Sequence, residues 1–181
     1  MTKRVLSKEE YEMSRELIQT IFARRSIRKY TADPVGEEDV KALLEAAMSA
    51  PSAGNSQPWH FVVVTDRQTL DGLAEVHSYG KMLFEAPLCI AVCGDPSLSR
   101  HHWVQDCSAA TENLLLAAAA LGLGAVWLGV HPEADRAAAI RKVLHIPEDI
   151  LPLNLISIGH PAEEKEPRTQ YDEARVHRER W

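Results

Sequence analysis

Four largely apolar runs of six residues each, at 60–65, 88–93, 125–130 and 153–158, limit what this chain can become. They are too short for ordinary helices, and their apolar residues do not alternate with polar ones. Such runs read as strands covered on both faces. The expected strands are His60 to Thr65, Leu88 to Cys93, Ala125 to Val130 and Leu153 to Ile158. Gly94-Asp95-Pro96 closes the second and Gly159-His160-Pro161 the fourth.

The segments between the runs carry helical periodicity. A first helix is expected over Glu9 to Arg24, with Met13, Leu17 and Ile21 four apart and Ile18 and Phe22 flanking them. A second, Glu37 to Ser49, follows the turn Asp33-Pro34-Val35-Gly36. It has an acidic start that suits the helix dipole and a stripe of Val40, Leu43, Leu44, Ala47 and Met48. Further helices are expected over Gln68 to Val76, Val104 to Leu121 and Ala134 to Leu144. The helix ending near Leu121 is apolar around most of its girth from Leu114 onward, so it should be central; Gly122 and Gly124 are expected to stop it. No repeat, linker or low-complexity segment interrupts the layout, so residues 1–181 form one mixed α and β domain. The stretch 162–181 is charged, yet Tyr171, Val176 and Trp181 give it apolar anchors, which fits an arm packed on something, such as a partner subunit.

Charge narrows the partners. The formal net charge is −6, which disfavours nucleic acid and anionic membrane surfaces. No apolar stretch reaches the ~20 residues of a membrane span, and the polar first ten residues show no secretory signal. Three cysteines (Cys89, Cys93 and Cys107) form no CxxC pair; Cys89 and Cys93 lie in an apolar run and read as core residues of a cytoplasmic protein.

Against this acidic background, Arg24-Arg25-Ser26-Ile27-Arg28 stands out. Guanidinium forks grip phosphate oxygens in pairs, and Ser26 adds a neutral donor. The same residues would also suit a solvated helix end. The loop Pro51-Ser52-Ala53-Gly54-Asn55-Ser56-Gln57-Pro58-Trp59 offers amides that both donate and accept, which suits a heterocycle edge with alternating carbonyl and N–H groups. Gly122-Leu123-Gly124-Ala125-Val126-Trp127-Leu128-Gly129 is not a dinucleotide-binding turn. Its last residues can present backbone to a ligand. Lys165 and Arg168 are a second basic pair, in a run that also holds Glu163, Glu164 and Glu166. HExxH, GxSxG and P-loop templates are missing, and His101-His102 has no Cys/His cluster beside it, so no metal site is assigned.

Taken in order and spacing, these pieces resemble the nitroreductase family of flavoproteins over about residues 18–181. The resemblance implies an α+β fold, a central mostly antiparallel sheet flanked by helices, in an intertwined homodimer with residues 162–181 packed on the partner. It implies FMN at the subunit interface. Arg24 and Ser26 would hold the phosphate, with Arg25 on the same side and Lys165 or Arg168 closing on it. Arg28 would approach the ring edge, and Leu128 and Gly129 would offer backbone near N5. Pro51, Ser52, Ala53, Asn55 and Gln57 would come from the partner. The implied activity is ping-pong transfer of hydride from NADH or NADPH to small-molecule acceptors: nitroaromatics, quinones or flavins. Another flavin reaction on this scaffold, or a non-catalytic FMN sensor, remains an alternative. Two departures stand out: Gly129 occupies a place where some members carry Glu, and the segment between Val76 and Phe84 is short.

Overall fold

The computed structural model describes residue 15 and residues 18–181. Four strands, β1 (Trp59–Val64), β2 (Leu88–Gly94), β3 (Gly124–Gly129) and β4 (Leu151–Gly159), pair in the order β1-β2-β4-β3, with every pairing antiparallel. Among the described residues from Glu37 onward, the helices α1 (Glu37–Met48), α2 (Arg67–Val76), α3 (Trp103–Ala120) and α4 (Ala134–Leu144) cover them. The strands and helices expected from Glu37 onward are thus present, shifted by at most two residues at their ends.

The reason the strands read as continuous apolar runs is visible in β2. Leu88, Ile90 and Val92 pack with Leu43 of α1 and Leu114 of α3, whereas Cys89, Ala91 and Cys93 pack with Leu73 of α2 and Ile140 of α4. Helices on both faces leave no side for polar residues, so β2 is buried throughout. All three thiols are buried, and burial pushes Cys89, Cys93 and Cys107 up to about 12.

Two local features place the ends of the sheet. Register shifts where Val92 faces Asn154 but Cys93 faces Pro152, which leaves Leu153 as the extra residue of a bulge. The Leu153 carbonyl turns to accept the amides of Val130 and His131, both at 3.0 Å, and so fixes the chain just beyond β3. At the opposite end, Gly122 (φ 74°) terminates α3 in the left-handed region. Gly124 does not act as a stop: it is the first residue of β3, and a Cβ there would lie 2.6 Å from Cγ2 of Ile27.

Residues 18–23 are helical, and the rest of the expected first helix, including Met13 and Leu17, lies outside the described residues apart from residue 15. Contrary to a simple core-facing stripe, Ile18 and Ile21 are about half exposed, at 48% and 53%. The 162–181 segment is tied to the domain by Ala162 N–H to Lys29 O (2.8 Å) and Arg168 N–H to Phe22 O (3.1 Å). Its aromatic residues find no place in this chain's core: Tyr171 and Trp181 are exposed.

Candidate functional site: a cationic strand between two cavities

After residue 23 the helix gives way to extended chain along the outer edge of β3. Ser26 forms a parallel bridge with Ala125, the Ile27 amide donates to the Ala125 carbonyl (3.0 Å), and Tyr30 pairs with Pro161. Ile27 and Tyr30 are buried and Arg28 is exposed, so the strand is anchored by its apolar residues and displays its cations. The Tyr30 hydroxyl donates to backbone carbonyls of Ile27 (2.7 Å) and Ser157 (3.1 Å), fastening the far end of this strand to β4.

A cavity of about 180 Å³ opens at the start of the strand, lined by Arg24, Arg25 and Lys165 over an apolar floor that includes Leu115 and Leu123. Lys165 reaches it because its Nζ donates to the Ser26 carbonyl at 2.6 Å and pairs with Glu163 at 3.2 Å. Glu163 in turn accepts the Arg28 amide at 2.6 Å, and that bond, helped by Lys165, holds its carboxyl below the usual carboxylate range. Arg25 Nη1 donates to the Glu166 carbonyl. Arg24 meets half-exposed Glu112 at 3.6 Å, an open pairing of the kind worth little in water. Three cations thus converge here with carboxylates only at the margin. Ser26 contributes its carbonyl to Lys165 but does not line the cavity. Arg168 is exposed and is fixed here only through its backbone.

A second cavity, of about 480 Å³, lies at the other end of the strand. Arg28, Leu128 and Gly129 line it, joined by Trp127, Tyr79 and Lys81. A Cβ at Gly129 would meet nothing within 4 Å, so the missing side chain leaves open space above the backbone. The Gly129 carbonyl accepts from His77 Nε2 (3.0 Å) and Arg136 Nη1 (2.9 Å), and the Arg136 guanidinium lies 5.9 Å over the Tyr79 ring. Sequence reasoning missed Tyr79, Lys81 and His77. The signal available was a polar, glycine-containing stretch between a helix and a buried strand; the short 76–84 segment proves to be a wall of this cavity, ending in a 3-10 turn over Lys81–Phe84.

The 51–57 loop is built elsewhere. Gly54, Asn55 and Gln57 all adopt positive φ (59°, 55° and 48°) around a 3-10 turn, Ala53–Asn55. The turn hangs on buried Asp106 of α3, whose Oδ1 accepts the Ala53 amide (2.9 Å) and whose Oδ2 accepts from Ser99 Oγ (2.7 Å). Gln57 donates its amide to Ser52 Oγ (3.0 Å). Pro51, Ser52, Ala53, Asn55 and Gln57 line neither cavity of their own chain. Asp106→Ala should remove the support of this loop and lower stability by about 1.5–3 kcal/mol, the range for charge-assisted hydrogen bonds. Asp106→Asn, which keeps an acceptor for Ala53, should lose less. Urea midpoints of the two variants check this.

A third hollow, of about 450 Å³, is apolar and runs between residues 20–21, α1 and α3, with Ile21, Ala46, Leu116 and Ala117 on its walls. Exposed Met48 ends α1 and exposed Leu121 caps α3, the two helices that flank it. Among the described residues no group of three His, Cys, Asp or Glu side chains is placed to hold a metal, and no helix is long and apolar enough to cross a membrane.

Residues 21–78 and 74–160 match the family described as Nitroreductase family. A relative from Archaeoglobus fulgidus, named "Putative NADH dehydrogenase/NAD(P)H nitroreductase", is 49% identical over 172 residues, covering 92% of this chain and 99% of its own. Among solved structures, an FMN-dependent nitroreductase of Clostridium difficile superposes with a TM-score of 0.86 at 32% identity, covering 91% of this chain and 99% of the other. NADPH:FMN oxidoreductase of Vibrio harveyi, complexed with NAD+, gives 0.79 at 28% identity, covering 91% and 77%. The edge strand bearing Arg24 to Arg28, the antiparallel sheet behind it and this length of matched sequence together make the chain a member of the nitroreductase family of oxidoreductases.

Proposed function

We propose that the chain is an FMN-dependent NAD(P)H oxidoreductase that works as a homodimer and reduces planar, electron-poor acceptors: nitroaromatics, quinones or free flavins. The observation that carries this reading is the pair of cavities joined by one extended cationic strand. A small cavity ringed by Arg24, Arg25 and Lys165 suits a phosphate, and a larger one walled by Trp127, Leu128 and open Gly129 suits a flat ring. The donor set therefore fits a flavin mononucleotide. FMN, when bound, supplies the chemistry of accepting and passing on hydride.

The protein's share is binding, orientation and charge. Arg24, Arg25 and Lys165 would neutralise the phosphate, with Ser26 aligning Lys165 through its carbonyl. Arg168 would assist from outside the cavity. Arg28 and Lys81 would set positive charge beside the ring, which favours extra negative charge there. Leu128 and Gly129 would support one ring face and leave the other open to donor and acceptor in turn, giving ping-pong kinetics. No side chain is assigned as proton donor.

The partner subunit would supply Pro51, Ser52, Ala53, Asn55 and Gln57. Three features support that assembly: these residues line neither of the two cavities along the cationic strand, the apolar hollow between α1 and α3 is uncovered, and the 162–181 arm exposes Tyr171 and Trp181. Three unpaired thiols fit a cytoplasmic setting.

The reading is tested by the visible spectrum of the purified protein and an anaerobic titration with NADH and NADPH. A yellow protein that bleaches on titration and recovers colour with a quinone supports it. A colourless protein that takes up no added FMN, or bound FMN that neither donor bleaches, overturns it.

A further inference from the structure

His77 carries an inference that rests on the flavin reading of the larger cavity. It caps α2 and is buried, at 1% exposure, between two segments 52 residues apart that both wall that cavity. Both ring nitrogens are used. Nδ1 lies 3.2 Å from the Tyr79 amide and Nε2 lies 3.0 Å from the Gly129 carbonyl. An amide N–H can only donate and a carbonyl can only accept, so Nδ1 must be bare and Nε2 must hold the hydrogen: a neutral ring in one tautomer. The turn closes tightly over the ring, with the Gly80 amide on the His77 carbonyl at 2.7 Å and a Gly80 Cβ excluded by the His77 Cβ at 2.9 Å. Lys81 follows immediately.

We propose that His77 is a positioning residue of the flavin cavity: its neutral ring ties the Tyr79–Lys81 segment to the end of β3, and a proton on Nδ1 releases that tie. Protonation would set N–H against N–H at Tyr79. The charged groups around the ring oppose protonation too. Arg136 of α4 shares the Gly129 carbonyl, Lys81 lies on the same segment, Glu75, Glu133 and Asp135 are exposed, and no carboxylate lines the cavity. Burial first, and then Arg136, hold His77 below its usual value of 6.5, against the pull of the Gly129 carbonyl. The sign follows: the contribution of the tie is complete above about pH 6.5 and is lost as pH falls through the lower value of the folded protein.

Two measurements test this. Long-range 1H–15N NMR of the apoprotein should show His77 as the Nε2–H tautomer, titrating below 6.5; an Nδ1–H tautomer overturns the proposal whether or not FMN binds. FMN dissociation constants, read by flavin fluorescence, are then compared between about pH 8 and about pH 5. The parent protein should lose roughly 3- to 10-fold more affinity on acidification than His77→Gln, the worth of one hydrogen bond. Gln keeps a donor and an acceptor but does not titrate, and the comparison cancels titration of the FMN phosphate. His77→Phe should bind FMN more weakly than His77→Gln at each pH. Equal pH slopes in the parent and His77→Gln overturn the proposal. Failure of every protein to bind FMN overturns the flavin reading instead, and the tautomer still decides the tie.

Discussion

Arg24→Ala is expected to raise the FMN dissociation constant roughly 10- to 150-fold, because it removes a charge-assisted phosphate contact worth about 1.5–3 kcal/mol. Lys165→Ala should cost a similar amount, since Lys165 lines the same small cavity and is held there by the Ser26 carbonyl. The double variant should fall short of the product, because the two cations share one ligand group. Arg168→Ala serves as the contrast: with its side chain outside the cavity, it should change affinity by less than about threefold, as for other exposed surface sites. Fluorescence titration of the apoproteins measures all four. Unchanged affinity in Arg24→Ala would remove the phosphate assignment. Glu112 sharpens this test, since Arg24→Ala also breaks the 3.6 Å pairing with that half-exposed carboxylate. Loss of such an open pair should leave the thermal midpoint nearly unchanged.

The second large effect is expected at Gly124→Val. The first atom of the new side chain would fall 2.6 Å from Cγ2 and 2.9 Å from Cβ of Ile27, the buried anchor of the edge strand. Overpacking of this kind costs typically about 1–3 kcal/mol. The distinguishing consequence is functional: Ile27 must retreat, taking with it the Ser26–Ala125 bridge and the cations on either side of it. FMN affinity should therefore fall even at temperatures where circular dichroism shows an intact fold. A variant with full FMN affinity would mean that the edge strand adjusts independently of its cations.

These cases show what could be read from the sequence. The strands were legible because burial on both faces leaves an unbroken apolar run, and α1 because Leu43 and Ala47 repeat at helical spacing on the side that meets the sheet. The Arg24 to Arg28 cluster was legible because clustered cations in an acidic chain ask for a counter-charge. Contacts between distant segments were not. Asp106 supports Ala53 from 53 residues away, and His77 joins Gly129 across 52; neither carries a local pattern. Gly124 looked like a helix stop because the neighbouring Gly122 is one. Its actual requirement, close approach of Ile27, depends on a strand pairing that no local spacing encodes. The stripe at Ile18 and Ile21 was legible as apolar, but its exposure in the single chain was not.

The raised thiols have a practical consequence. Burial holds these thiols far above their ordinary range, so hardly any is ionised at neutral pH, and the ionised form is the one that alkylating reagents attack. Cys89 and Cys93 sit in the middle of the sheet and Cys107 in the helix laid across it, so iodoacetamide should reach them only when the domain opens. The chain carries its own clock for global opening, readable by mass after timed labelling, with no engineered probe.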